Sequence, residues 1–297
     1  MKMRTDKLNL KIKKVLGDNT KKILIKLLFP FRNNFILFNI SNKALEYEVN
    51  LNYWDESNNL GDTLAPVIVK YALSLRDIDF HKKVASKKHL YAVGSVLTAG
   101  IQDATVWGSG VLNARLSYRL QNRQLDVRAV RGPLTGAILE DYGYIVPKVY
   151  ADPAILMPEI FNPEIVQKKY EYGIILHKDY VLSENDKAFI DNKKVKILNI
   201  KTDNYELFIK DLKECNEIIS SSLHGIILSE VYGVPAILLR PQVDYLKYYD
   251  YYFSTGRLEF PIANTVSDAV CITPTEIPEF TTMKKQLLDA FPYDLYE

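Results

Sequence analysis

The chain has 297 residues, 47% of them hydrophobic and 25% charged, which is typical of folded globular proteins and sufficient for two modest domains. Its formal net charge of +2 is close to neutrality, so the composition gives little support for nucleic acid as a partner. Two cysteines, Cys215 and Cys271, are too few for a disulfide framework and lack metal-binding spacing. We therefore expect no metal site, and a core position for Cys215.

Positive charge is concentrated at the beginning of the chain. Residues 1–26 carry nine lysine and arginine side chains against two aspartates, and apolar residues are interleaved with them. We call residues 1–45 the basic arm. No apolar run in it reaches the ~20 residues that span a bilayer, and no cleavable leader is evident, so we expect a cytoplasmic protein. The arm either contacts the anionic inner face of the membrane or lies, docked or solvated, on the protein.

Strands alternate with helices after the arm. A loop enters an amphipathic helix within residues 58–73, with Asp62 or Thr63 as its cap, and a second helix is predicted at residues 134–139. Short apolar runs predict strands at residues 47–53, 89–96, 104–107 and 127–130. Most of these strands end in small-residue loops. The alternation favours a parallel sheet covered on both faces.

A proline-rich stretch at residues 150–163 predicts the boundary between two α/β halves. Beyond it, strands are predicted at residues 172–176, 195–199, 218–219 and 234–239, and helices at residues 205–213 and 225–232. We therefore predict an α/β fold of two Rossmann-like domains, residues 46–155 and 165–270, whose parallel sheets face a central cleft. Residues 271–297 would form a C-terminal extension.

One histidine follows a predicted strand at the position where such folds bind ligands. His224 lies on a turn, with Ser220 to Ser222 before it and Gly225 after it. In open parallel sheets, ligands lie outside the carboxyl ends of strands, where helix N-termini present unpaired N–H groups. Hydroxyls and a close-approaching backbone would suit an anionic substrate. The alternative is a capped helix whose serines satisfy the first N–H groups and whose histidine is half-buried.

Six short motifs occur together and in order. They are Asn59-Leu60-Gly61-Asp62, Gly94-Ser95, Trp107-Gly108-Ser109-Gly110, the segment from Val130 to Thr135, Ala151-Asp152-Pro153-Ala154, and the segment from Ser220 to Gly233. With these motifs the sequence resembles the polysaccharide pyruvyl transferase family, over roughly residues 50–260. The resemblance implies a two-domain fold similar to the GT-B glycosyltransferases. It also implies transfer of the enolpyruvyl unit of phosphoenolpyruvate to a sugar as a cyclic ketal, with release of phosphate.

The resemblance implies roles for individual residues. His224 would be the general acid, because histidine titrates near neutrality. Arg131, in the Arg-Gly-Pro motif, would clamp the carboxylate or phosphate of the donor by paired hydrogen bonds, a surface or interdomain ion pair being the alternative. Substrate-binding residues are expected at the matched motifs and in the segment that follows them: Lys247, Arg240, Ser221, Ser222, Leu223, Gly225, Gly61, Asp62, Gly94, Ser95, Gly108 and Ser109.

One position departs from the family pattern. Many relatives carry arginine two residues before the histidine, where this chain has Ser222. Either Lys247, Arg240 or Arg257 supplies the missing charge, or hydroxyl and backbone donors hold the phosphate instead, and we favour the second alternative.

Other motif residues keep two interpretations each. Asp62 is either a base for a sugar hydroxyl or a helix cap, and Asp152 either holds a hydroxyl or lies at an interdomain hinge. The tyrosines of residues 245–252 either stack on a sugar ring or cover an interface.

The resemblance also implies the partners. Phosphoenolpyruvate would be the donor substrate, with no cofactor. The glycan acceptor would be a galactose- or mannose-type unit of a capsular or exopolysaccharide precursor, with a lipid-linked form as one candidate. Two other classes remain open, because fold does not determine function: a GT-B-type glycosyltransferase that uses a nucleotide sugar, and a non-catalytic glycan-binding module.

Overall fold

Two five-stranded sheets organise the part of the chain that the structure describes. The structure, a computed structural model, describes residues 47–54, 58–164, 167–177, 180–191 and 194–297. The basic arm and its predicted membrane contact lie outside these residues. No helix among the described residues has both the length and the apolar character needed to cross a bilayer.

The first sheet is mainly parallel. Its strands are β1 (Tyr47–Asn52), β2 (Lys83–Val84), β3 (Lys88–Tyr91), β4 (Ala104–Trp107) and β5 (Leu125–Ala129). Their order across the sheet is β2-β1-β3-β4-β5, and only β2 runs antiparallel to its neighbour. Every residue of β4, which lies between β3 and β5, is buried, as expected for a strand covered on both faces.

The second sheet is entirely parallel. Its strands are β6 (Tyr170–Ile175), β7 (Val195–Leu198), β8 (Cys215–Ser220), β9 (Ala236–Leu239) and β10 (Ile262–Ala263). Their order is β10-β9-β8-β6-β7, so the chain passes from β6 to β7 on one side and then crosses to β8 on the other. This is a doubly wound order, and its topological switch point lies between β6 and β8. The α/β class and the two Rossmann-like sheets are confirmed.

Helices connect the strands. They are α1 (Leu60–Ser74), α2 (Pro133–Asp141), α3 (Met157–Ile160), α4 (Glu184–Asp191), α5 (Tyr205–Lys213), α6 (Leu223–Val231), α7 (Leu246–Ser254), α8 (Val266–Ala269) and α9 (Thr281–Asp289). In α1 the fully buried Leu64, Ile68 and Ala72 recur every four residues, so one face of the helix packs on the core.

Helix α9 and the residues after it pack against the first sheet and α1. The indole N–H of Trp107 in β4 donates a hydrogen bond of 2.8 Å to the Leu287 carbonyl, and Phe291 packs edge-on to that indole. The Tyr293 hydroxyl donates to the Ala72 carbonyl at 3.0 Å. The segment predicted as a C-terminal extension therefore forms part of the core around β4 and α1.

Several predicted elements are confirmed, and others end elsewhere. The strand at Ala104–Trp107 and the helix at Tyr205–Lys213 have the predicted bounds. The strand predicted to reach residue 96 ends at Tyr91, because Gly94 turns the chain with a φ of 92°. The predicted cap of α1 was wrong.

Asn59 is the N-cap residue of α1, and it makes no side-chain capping hydrogen bond. The Asp62 carboxylate instead accepts a hydrogen bond of 2.7 Å from the side-chain amide of Asn59. The proline-rich stretch is also not an exposed linker. Residues 151–157 are buried, and Pro153–Leu156 forms a 3₁₀ turn that leads into α3.

The half-buried acid Glu217 in β8 predicts that stability depends on pH. Burial raises the pKa of Glu217 to about 6, and its Oε1 atom has no hydrogen-bond partner among the described residues. Between the ordinary pKa of 4.5 and about 6, the folded chain binds more protons than the unfolded chain, so stability falls as pH rises through this window. We expect Glu217→Gln to increase the free energy of unfolding at pH 7 by about 1 kcal/mol, a figure reduced for solvent screening.

Urea denaturation at several pH values checks this prediction. The gain should disappear below pH 4.5, where Glu217 is protonated in both states. The exposed Glu171→Gln in neighbouring β6 is the control and should show no such gain. Equal stability of wild type and Glu217→Gln at all pH values would contradict it.

Candidate functional site

The turn before His224 lies at the switch point of the second sheet. The Ser220 hydroxyl, at the end of β8, donates a hydrogen bond of 2.9 Å to the Ile175 carbonyl at the end of β6. The Ser221 hydroxyl accepts a bond of 2.9 Å from the His177 N–H. These contacts fix the ends of β6 and β8 to one another, and the sequence prediction of a site at a strand's carboxyl end agrees with this arrangement.

Helix α6 begins directly after this turn. Its N-cap residue, Ser222, makes no side-chain capping hydrogen bond, and its own N–H donates to the Ser220 hydroxyl at 3.0 Å. A Cβ atom at Gly225 would lie 2.3 Å from the Ser220 hydroxyl oxygen, so the tight turn requires glycine there. The alternative in which Ser222 caps the helix is therefore not observed. The backbone N–H groups of the first turn have no acceptor within the helix.

The His224 imidazole is paired with a carboxylate. It is 8% exposed, and its Nε2 atom lies 3.6 Å from Oδ2 of the fully buried Asp152. Among the described residues neither atom has a hydrogen-bond partner. The other carboxylate oxygen, Oδ1, accepts a bond of 3.0 Å from the Ala154 N–H. Asp152, for which the sequence offered a hydroxyl contact or a hinge, thus faces the predicted acid.

The beginning of α1 contacts the same ring. A Cβ atom at Gly61 would lie 1.9 Å from Nδ1 of His224, so only glycine allows the imidazole its observed position. The Leu60 N–H donates a bond of 2.8 Å to the Ile200 carbonyl after β7, which holds the start of α1 against the second sheet. Segments that follow strands of both sheets therefore meet at His224.

Gly61→Ala tests this contact. The added methyl group would displace the imidazole, and a displacement of about 1 Å can lower turnover about 10²-fold. We expect that loss with the fold retained, measured as turnover and by circular dichroism. Gly136→Ala in α2 is the matched control, because its Cβ would have nothing nearer than 3.4 Å. Equal turnover of the two variants would exclude a role for this contact.

Arg131 is fully buried and bound to protein groups. Its guanidinium pairs with the Asp250 carboxylate of α7 at 3.1 Å, and it donates to the Ser95 hydroxyl and to the Val111 carbonyl. Asp250 also accepts bonds from the N–H and the hydroxyl of Thr135. The ion pair, which the sequence offered as an alternative to the donor clamp, is thus present, and the clamp stays a prediction.

Two motif glycines make this ion pair possible. A Cβ at Gly110 would lie 2.3 Å from Cζ of Arg131, and one at Gly132 would lie 2.0 Å from the Asp250 carbonyl oxygen. Sequence analysis missed Asp250. The available signal was a single acidic residue within a tyrosine-rich helix, since an acid that is buried must be paired.

The remaining motif residues surround these two centres. Ser109 is buried and donates a hydrogen bond of 3.0 Å to the Gly94 carbonyl. Gly108, with a φ of 84°, lies against Pro153, the residue after Asp152. Leu223 is buried in the first turn of α6. These residues support His224 and Arg131 from within the protein.

The predicted cations occupy different surroundings. Lys247 in α7 is 8% exposed, and its Nζ atom lies 5.0 Å from the ring centroid of Tyr248, whose hydroxyl donates to the Ser221 carbonyl at 2.7 Å. Arg240 is exposed and donates to the Asn264 side chain at 2.7 Å. Lys247 therefore belongs to the helix that contacts the His224 turn.

Arg257 and the tyrosine cluster are mostly structural. Arg257 pairs with Glu230 at 2.6 Å, and Glu230 accepts a bond from the Tyr251 hydroxyl. Tyr248, Tyr251 and Tyr252 are at most 1% exposed, so their rings cannot stack on a sugar in this structure. Tyr245 and Tyr249 are half-buried.

Three further observations concern metal binding, Cys215 and a concavity. Among the described residues no group of three or more histidine, cysteine, aspartate or glutamate side chains could hold a metal ion. Burial raises the pKa of the Cys215 thiol to about 12, so that residue is an inert core side chain, as predicted. A concavity at the amino ends of β3, β4 and β5, lined by His89, Asp103 and Asp126 among others, does not include His224.

The fold is that of an α/β protein with two parallel-rich sheets, and its candidate site lies at the carboxyl ends of parallel strands. The chain belongs to the polysaccharide pyruvyl transferase family, whose profile matches residues 9–242. The match begins within the basic arm, which the motif resemblance had left outside the family. Polysaccharide pyruvyl transfer is thus the class of activity that the family supports for this chain.

Two relatives illustrate the similarity. An uncharacterized protein of Acanthamoeba polyphaga mimivirus is 27% identical over 215 residues, which cover 69% of this chain and 73% of the relative. The succinoglycan biosynthesis protein ExoV of Rhizobium meliloti (strain 1021) is 26% identical over 191 residues, 62% of this chain. This second match spans 57% of the length of ExoV.

Proposed function

We propose that this protein transfers the pyruvyl unit of phosphoenolpyruvate to two hydroxyls of one sugar, forming a cyclic ketal and releasing phosphate. The proposed acceptor is a galactose- or mannose-type unit of a capsular or exopolysaccharide precursor, lipid-linked in one candidate form. The observation that carries the proposal is the meeting of motif segments from both sheets at His224, beside the first turn of α6.

The first turn of α6 suits the anionic donor. Its unpaired N–H groups and the partial positive charge of a helix N-terminus favour phosphate or carboxylate. Because Ser222 makes no capping bond, these donors support the alternative in which hydroxyl and backbone groups replace the arginine of other relatives. Lys247 would add charge from α7, the helix whose Tyr248 contacts the His224 turn.

The proposed reaction requires one proton donor. His224 would give a proton to the methylene carbon of phosphoenolpyruvate, and the double-bond electron pair would form the new C–H bond. The cationic carbon left behind would accept the first sugar hydroxyl oxygen, whose proton returns to His224. The second hydroxyl oxygen would then displace phosphate, which leaves with the carbon–oxygen electron pair and takes up the last proton. Histidine suits both proton steps because it titrates near neutrality.

The finer parts of the proposal concern arrangement and location. We infer a GT-B-like arrangement, because segments following strands of both sheets contact one histidine. The reaction uses no cofactor, since the donor carries both the transferred unit and the leaving group. We infer a cytoplasmic location with the basic arm against the anionic membrane face, where each nearby lysine or arginine would contribute about 1 kcal/mol.

The experiment is an assay of phosphate release from phosphoenolpyruvate with a panel of lipid-linked and synthetic glycosides, followed by mass spectrometry of the sugar. We expect release that depends on one sugar class, with a pyruvate ketal on the product, and release about 10²- to 10⁴-fold slower by His224→Ala. Release of nucleotide from a nucleotide sugar would instead establish a glycosyltransferase. Binding of glycans without turnover of either donor would establish a binding module.

A further inference from the structure

We propose that Asp152 is a positioning residue that fixes the tautomer of His224. It would hold the proton of the neutral imidazole on Nε2, so that Nδ1 is the nitrogen that exchanges the catalytic proton. The proposal rests on the proposed function for its catalytic consequence, but the tautomer itself can be measured without any substrate.

The contacts of Asp152 leave one carboxylate oxygen for the histidine. Oδ1 accepts from the Ala154 N–H at 3.0 Å, whereas Oδ2 has no hydrogen-bond partner within the described part of the chain and lies 3.6 Å from Nε2 of His224. Nε2 is itself buried and likewise has no partner among these residues. A buried carboxylate oxygen is only an acceptor when ionised, and a buried ring nitrogen without a partner is costly. A proton on Nε2, directed at Oδ2, satisfies both atoms once they approach slightly.

The backbone makes this orientation rigid. Asp152 is fully buried and is the N-cap residue of the 3₁₀ turn Pro153–Leu156, so its carboxylate cannot rotate without losing the bond to Ala154. His224 is held from the other side by Gly61, which lies against Nδ1. The ring therefore presents Nε2 to Asp152, and Nδ1 is the nitrogen left to serve the reaction.

Asp152→Asn tests the proposal with almost no change of shape. The amide must still accept the Ala154 N–H through its oxygen, so its NH₂ group faces Nε2 of His224 and donates to it. Donation to Nε2 forces the imidazole proton onto Nδ1. The substitution should therefore invert the tautomer of His224, which a purely structural role of Asp152 would not do.

The measurement is the pair of imidazole ¹⁵N chemical shifts of His224, assigned with His224→Ala and recorded at a pH above its titration. We expect an Nε2–H tautomer in the wild type and an Nδ1–H tautomer in Asp152→Asn. In the transfer assay kcat should fall by about 10²- to 10⁴-fold without weaker phosphoenolpyruvate binding. Asp186→Asn is the matched control, because Asp186 is also a buried acceptor for a backbone N–H, that of Val266, and bonds to Ser183 rather than to histidine.

Each outcome decides the proposal. An Nδ1–H tautomer in the wild type, or the same tautomer in wild type and Asp152→Asn, would overturn it. The wild-type spectrum alone decides if Asp152→Asn fails to fold. If the tautomers invert as expected while no sugar accepts pyruvate, the positioning role stands and the proposed function fails.

Discussion

His224→Ala is expected to lower turnover about 10²- to 10⁴-fold while phosphoenolpyruvate binding stays largely intact. The imidazole is the group that contacts Asp152 and Gly61, yet binding of the donor anion would depend mainly on the α6 backbone and Lys247. Loss of the acid therefore removes a contribution made in the transition state rather than one made in binding. Turnover and isothermal titration of phosphoenolpyruvate measure the two effects separately.

The control for this variant is another histidine. The His81 side chain is 64% exposed and pairs with Glu48 on the first sheet, so His81→Ala should leave turnover unchanged. Near-normal turnover of His224→Ala would remove the general acid from the mechanism. A parallel loss of phosphoenolpyruvate binding would instead assign His224 to the donor site.

Arg131→Ala is expected to lower the free energy of unfolding by about 3–5 kcal/mol. The substitution would leave the Asp250 carboxylate buried without its cation, and an unpaired buried charge is strongly destabilising. Urea denaturation measures the loss. Arg128→Ala, in β5 just before Arg131, is the matched control, because its ion pairs with Asp126 and Asp294 are exposed and contribute at most about 1 kcal/mol.

A double variant separates the contribution of the Arg131–Asp250 ion pair from the other contacts of the two residues. If the ion pair dominates, Arg131→Ala combined with Asp250→Ala should cost much less than the sum of the two single variants. Additive losses would show that Arg131 and Asp250 are not coupled. Donor affinity of the folded Arg131→Ala protein tests the clamp independently, since a clamp contributes to ground-state binding as well as to turnover.

Much of the fold was predictable because its signals are local. The apolar run of β4 and the amphipathic pattern of α5 gave correct bounds, and the position of His224 after the carboxyl end of a strand followed from the apolar residues before it. The end of β3 and the beginning of α1 were harder to predict. After β3 the chain turns at Gly94 with a positive φ, and at the beginning of α1 the Asn59 side chain contacts Asp62.

Partners across the fold could not be predicted. Asp152 lies 72 residues before His224, and Asp250 lies 119 residues after Arg131, so no spacing rule connects either pair. The sequence also could not show whether the tyrosines at residues 248, 251 and 252 face a ligand or the core, since an aromatic cluster has the same sequence pattern in both cases. Only the packing of α7 shows that these rings are buried.

The contacts of α9 and the residues after it with β4 and α1 affect how the chain folds during its synthesis. Trp107 and Ala72 are synthesised early, but their partners Leu287 and Tyr293 emerge from the ribosome 180 and 221 residues later, respectively. Until then the apolar surface around Trp107 and Ala72 in the nascent chain is uncovered. Residues 46–155 expressed by themselves would leave this apolar surface exposed. They would therefore need a chaperone, or residues 281–297 supplied as a separate peptide, to remain in solution.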